Sequence, residues 1–192
     1  MKEIVAAVTG CLLLSVPSSL TAQSGKPVSA QASFLYVGLS GAAYDGVQAG
    51  LGAEGQLRYN FPSPLSVGGG LQYSRHDFDE ATGISEPLTL FGVFVEPRFV
   101  IRTNSDVLVP YLSGRLAFLK QSTKVSGVSV SASGTQFNGG GGILYGLTSN
   151  LVLDLGATFG GVSFGSFSGG GGRAGSGSNV IFRVGISGGI GG

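Results

Sequence analysis

Charge is what this chain lacks most. Only 11% of its 192 residues are charged, against 42% hydrophobic, whereas a soluble domain carries roughly a quarter charged residues to keep its exterior wetted. Too little charge is present to coat a soluble surface. Tryptophan is absent, and cysteine and histidine occur once each, as Cys11 and His76. A single cysteine excludes any disulfide within the chain. A formal net charge of +1 gives no reason to expect nucleic acid as a partner. Past the amino terminus no uninterrupted apolar run approaches the roughly 18 residues of a spanning helix. If the mature chain crosses a membrane, it must do so as closed strands, because lipid cannot satisfy open backbone groups.

What the chain does have is alternation. Leu88 to Leu119 reads as two long arms about the turn-forming Thr103-Asn104-Ser105-Asp106. In the first arm Phe91, Val93, Val95, Pro97, Phe99 and Ile101 share one face, with Gly92, Glu96, Arg98 and Arg102 on the other. In the second, Leu108, Pro110, Leu112, Leu116 and Phe118 oppose Val109, Tyr111, Ser113, Arg115 and Ala117. A period of two is a strand pattern, and the pair is a hairpin. In water so greasy a face would need a thick core; in a bilayer it needs only lipid, and about 9–11 residues per strand suffice.

The same pattern recurs in Val47 to Tyr59, Leu65 to Ser74 and Leu151 to Phe159, with further strands expected over Ala30 to Ser40, Gln136 to Leu147 and Asn179 to Ser187. Eight strands result. The links after the second, fourth and sixth are short. Those after the third, fifth and seventh are long: Arg75 to Pro87, Lys120 to Gly134, and the Gly/Ser tract Ser163 to Ser178. Even strand number and sorted loops are features of bacterial membrane barrels. The first strand is too uniformly apolar for its faces to be assigned. Tyr59, Phe61, Tyr73, Phe91, Phe99, Phe118, Tyr145 and Phe159 are candidates for interfacial girdles.

With the apolar face outward, Glu54, Arg58, Glu96, Arg98, Arg115, Asp154 and Arg183 enter the lumen. An eight-stranded barrel encloses little beyond its own side chains. An unpaired charge there would cost several kcal/mol. The expectation is a polar plug, with Glu96 level with Ser113 and diagonal to Arg115.

The amino terminus reads as a secretory signal: Lys2, an apolar run from Ile4 to Val16, and Pro17 to Ala22, with cleavage after Ala22 and Val28-Ser29-Ala30 as a second candidate site. Domain boundaries are then 1–22 for the signal and 23–192 for the barrel. Val8-Thr9-Gly10-Cys11 looks like a lipoprotein box, but only a short apolar run precedes Cys11 and Leu12-Leu13-Leu14 continues it.

Together the signal segment, alternating strands and sorted loops resemble the small eight-stranded outer-membrane barrel family, similar to the OmpA transmembrane domain and OmpX. The resemblance covers essentially the whole mature chain by pattern, without a specific motif. It implies an all-β, eight-stranded antiparallel up-and-down transmembrane β-barrel in the cell outer membrane. It also implies a non-enzymatic, structural or surface-interacting role. Its partners would be outer-membrane lipid and, during insertion, the barrel assembly machinery, with no nucleic acid and no cofactor or metal, and the protein would be a monomer. In that family the last strand usually ends in an aromatic residue used in assembly. Here the chain ends Ile186-Ser187-Gly188-Gly189-Ile190-Gly191-Gly192. Pro97 and Pro110 also need a bulge, since a closed barrel has no free edge.

Two rivals remain: a secreted soluble barrel holding a small apolar ligand, and a lipid-modifying enzyme of the outer membrane. The second would use His76 as base with Ser74 or Ser85 as nucleophile. Asp77, Asp79, Glu80 and Glu86 could hold a divalent ion, though their spacing is no recognised calcium loop. Gly161-Val162-Ser163-Phe164-Gly165 and Gly185-Ile186-Ser187-Gly188-Gly189 match the nucleophile-elbow pattern but lack the helix it needs. Residues 169–172 lack the lysine of a phosphate loop.

Overall fold

In the computed structural model the described residues are 26–79, 86–105, 107–125, 128–168 and 172–190. The signal segment, Cys11, Glu80 and Ser85 lie outside them. Eight strands run in order, β1 Val28–Ser40, β2 Gly50–Asn60, β3 Leu65–His76, β4 Leu88–Val100, β5 Leu108–Val125, β6 Val128–Gly146, β7 Leu151–Ser166 and β8 Arg173–Ile190. Each pairs antiparallel with its sequence neighbour, and β8 returns to β1 to close the barrel. Among the described residues the only helix is one 3-10 turn, Ala42–Tyr44, so no helix is long and apolar enough to cross a membrane.

Register fixes the shape. Paired residues traced from Ala30 through Leu57, Gly69, Val95, Leu116, Phe137, Gly161 and Ser178 return to β1 at Ser40. That shift of ten residues is the barrel's shear, and it tilts the strands by about 40°. The Leu, Val and Phe positions of the alternating pattern face out: Phe34 is 79% exposed, Leu51 72% and Phe159 71%. Aromatics form two belts. Tyr59, Phe61 and Phe99 lie at the short-turn end, and Tyr73, Phe91 and Phe118 at the other, with Tyr73 directly across from Phe91. Phe91 and Phe99, eight residues apart on one face, are separated by roughly 20 Å along the axis. That nearly matches the roughly 25 Å apolar band of a membrane barrel.

Three short links sit at one end. Phe61 donates to the Leu65 carbonyl, the Thr103 hydroxyl accepts from the Ser105 amide, and Leu147 donates to the Leu151 carbonyl. At the other end the strands outrun the expected loops. Only residues 126 and 127 separate β5 from β6, and residues 163–166 and 173–178 of the Gly/Ser tract belong to β7 and β8. Ser, Thr and Gly lack the apolar alternation by which strands are read. Their backbone groups still gain by pairing beyond the outer aromatic belt.

Pro97 requires no bulge. The β4–β5 register is the same on both sides of it, Val95 opposite Leu116 and Arg98 opposite Ser113, and the ladder simply omits positions 96 and 97. The gap falls where proline lacks an amide donor. This register also corrects the expected offset of the hairpin: Arg98, not Glu96, is level with Ser113, which sets Glu96 directly opposite Arg115.

Candidate functional site

The lumen is the site. Residues facing inward from all eight strands fill it in three tiers. Nearest the short turns lies a small apolar cluster of Val100, Tyr111, Leu144 and Val152.

The middle tier holds the seven charged positions. Glu54, Arg58, Glu96, Arg98, Arg115, Asp154 and Arg183 are all buried, Glu96 and Asp154 completely. Glu96 on β4 is the hub. Arg115 donates to its Oε2 from Nε and NH2 at 3.0 and 2.6 Å, and Arg183 NH1 reaches the same oxygen at 2.9 Å. Its Oε1 accepts from Arg58 at 2.8 Å and Arg98 at 3.1 Å. Glu54 on β2 takes Arg115 at 2.7 Å and Arg183 at 3.2 Å. Asp154 on β7 accepts from Arg98 at 2.8 Å, from Gln31 at 2.9 Å and from the Tyr111 hydroxyl at 2.6 Å. Four guanidiniums against three carboxylates leave one formal positive charge. Two cations also lie over rings: Arg98 is 3.9 Å from the Tyr111 centroid and Arg115 4.0 Å from that of Phe94. Charged hydrogen bonds of this kind are short, and in a low-dielectric interior they hold only if nearly every partner is present.

Glycine makes room for this tier. A Cβ on Gly142 or Gly156 would stand 2.6 or 2.5 Å from the Tyr111 hydroxyl. Any larger residue at either position would push Tyr111 off Asp154 and Arg183.

The outer tier is mostly apolar: Leu35, Val37 and Leu39 from β1, Leu88, Leu90 and Phe94 from β4, Ala117 and Leu119 from β5, Val162 and Phe164 from β7, and Ile181 from β8. Reading alternation alone missed this tier. The only signal was the uniformly apolar β1, whose second face is now accounted for by the lumen. Tyr44 from the 3-10 turn closes the top of the cluster, with Val47, Phe78 and Phe167 packed against it. Burial pushes the Tyr44 hydroxyl up to about 12, so it stays a neutral donor.

His76 also points inward and is fully buried. One ring nitrogen lies 3.0 Å from the Ser74 hydroxyl and the other 3.1 Å from the Gln48 carbonyl. If that carbonyl accepts from Nδ1, the Nε2 lone pair faces Ser74, the tautomer a general base would need. Both side chains are sealed under the rim, however, away from lipid and solvent. Asp77 is exposed and pairs with Arg75 at 3.7 Å, and Asp79 accepts from Gln48 at 2.9 Å. No group of three metal-ligating side chains occurs among the described residues. Ser163 and Ser187, the serines of the two elbow-like matches, lie within the continuous strands β7 and β8.

The Outer membrane protein beta-barrel domain family matches residues 6–187. Neisserial surface protein A is similar in structure, with a TM-score of 0.68 at 17% identity over 85% of this chain and 97% of that one. Ail, the attachment invasion locus protein of Yersinia pestis, has a TM-score of 0.51 at 18% identity over 83% and 94%. OprG from Pseudomonas aeruginosa has 0.51 at 11% over 88% and 98%. No individually curated protein matches the sequence. At these identities the likeness is one of fold.

Proposed function

Because this chain belongs to the outer-membrane β-barrel domain family, and so sits in the lipid of the cell outer membrane, we propose that it is a closed, non-conducting, non-enzymatic barrel. Its work is structural or surface-interacting and is carried by its outer rim. One observation supports this above the rest. Side chains occupy the lumen from turn to rim, with an ion-paired tier at mid-height and an apolar tier above it. A solute would have to break both.

On this reading residues 1–22 direct export and are removed, and the barrel from residue 23 is inserted by the assembly machinery as a monomer. The seven charged lumen residues act as a plug rather than as a catalytic or ligand site. A soluble carrier of apolar ligands would need leucines toward its axis and a wetted exterior. The exposed Phe34, Leu51, Leu57, Leu112 and Phe137 favour the membrane reading instead. A lipid-modifying enzyme would need His76 to face lipid.

Fractionation tests the first claim: the protein should remain with outer membranes after a carbonate wash and migrate anomalously unless heated in detergent. Release by carbonate would overturn it. Planar-bilayer recording tests the second, and discrete conductance steps from the wild-type protein would refute the plug. Unchanged lipid A on overexpression is the outcome expected of a non-enzyme.

A further inference from the structure

Above the outer aromatic belt the barrel wall turns polar, and it does so unevenly. Along the outward face of β5 the residues run Leu112, Leu116, Phe118, Lys120, Ser122, Lys124. Lys120 lies directly across from Phe91 of β4, and Ser122 across from Thr89. Lys120, Ser122 and Lys124, with Thr89 of β4 and Ser129 of β6, line a recess of about 320 Å³ on the outside of the barrel, to which Glu86 also contributes. Among the described residues neither lysine makes an ion pair.

That sets them apart from the lumen arginines and from Arg75, the other outward cation described at this end. The four lumen arginines are neutralised by carboxylates, and Arg75, the outward cation at the end of β3, has Asp77 beside it. On the opposite wall, beyond the belt, β1, β7 and β8 present Ser40, Ser163 and Ser178, which bond to one another or to Ser176. Among the side chains described at this end of the barrel, the unpaired positive charge lies on the β4–β6 wall.

Its height is informative. Lys120 begins one outward position above Phe118, where hydrocarbon gives way to headgroups. An ammonium there extends along the wall to reach a polar layer. Two lysines four residues apart on an extended strand lie roughly 13 Å from each other, with the Ser122 hydroxyl between them. That span suits an elongated, multiply anionic group better than a small ion.

We propose that the β4–β6 wall binds a phosphorylated lipid headgroup of the outer leaflet, held by the Lys120 and Lys124 ammonium groups with Ser122 as a hydrogen-bond donor. This rests on the membrane orientation argued above, with the long-strand end outward.

The test uses the full barrel in phosphatidylcholine nanodiscs with and without lipid A, measuring the lipid A retained after exchange against neutral discs. Lys120→Gln/Lys124→Gln should lower retention about tenfold at low ionic strength, and the wild-type advantage should shrink in salt. Arg102→Gln, in the turn at the far end, should change nothing. Equal retention by the double variant and the wild type would overturn the proposal, as would full displacement of lipid A by millimolar inorganic phosphate. Heat-modifiable migration is scored in parallel: its loss in the wild type would count against the membrane reading itself. Its persistence in the double variant isolates the lysines.

Discussion

The two main tiers of the lumen fill the same cylinder by different physics. At mid-height, four arginines and three carboxylates from five strands meet within hydrogen-bonding distance of one another. Above them, leucines, valines and phenylalanines fill space with no directional requirement. The charged tier demands register, since moving β4 against β5 by two residues would part Glu96 from Arg115. The apolar tier demands only volume and tolerates exchange among similar shapes. The difference teaches that closure to solutes and uniqueness of register are separate problems here. Both tiers serve the first, and the middle tier alone serves the second.

Breaking the hub tests this most severely. Glu96→Gln leaves four buried guanidiniums facing two carboxylates, and it should destabilise the barrel by about 3–5 kcal/mol, read as a lowered midpoint of urea unfolding from vesicles. A change under about 1 kcal/mol would mean that water or counterions, not Glu96, neutralise the arginines.

Leu119→Ala in the apolar tier should cost about 2–5 kcal/mol, depending on how far the site collapses. Its effect should be indifferent to salt and pH, whereas that of Glu96→Gln should not. Identical responses of the two variants would erase the distinction between tiers.

Tyr111→Phe removes a hydroxyl that donates to Asp154 and accepts from Arg183. About 1–3 kcal/mol should be lost. A neutral result would place Tyr111 with the apolar cluster beneath it rather than with the charges.

The smallest expected signal is a coupling. Glu96→Gln combined with Arg115→Met should fall short of the summed single effects by about 0.5–3 kcal/mol, whereas Glu96→Gln with Leu119→Ala should add within about 0.5 kcal/mol. Coupling of equal size in both pairs would show that the tiers act as one unit.

Much of this was legible in the chain. Parity along β2, β4, β5 and β7 assigned Glu54, Arg58, Glu96, Arg98, Arg115 and Asp154 to the inner face, because an isolated charge among small residues opposite a greasy face marks itself. Leu35, Val37 and Leu39 were not legible. A strand apolar on both faces carries no parity, and nothing local says which face meets lipid. The outer ends of β5 to β8 were hidden for a related reason: Ser, Gly and Thr read as loop when only hydrophobic alternation is used, yet the backbone pairs wherever a neighbouring strand is offered. The missing bulge at Pro97 was likewise invisible, since a gap in the ladder and an inserted residue look alike in one strand.

Composition and periodicity alone pointed to the fold class, the strand number and an outward apolar face, and closure of the barrel with Phe34, Leu51 and Phe159 exposed bore them out. Those follow from scarcity of charge and a period of two, which are local properties. Which arginine meets which carboxylate, the two-residue correction that brings Glu96 opposite Arg115, and the apolar tier beneath the rim were decided only by closure. Shear and register join residues more than a hundred positions apart, as Arg183 joins Glu54, and no local pattern encodes a distance of that kind.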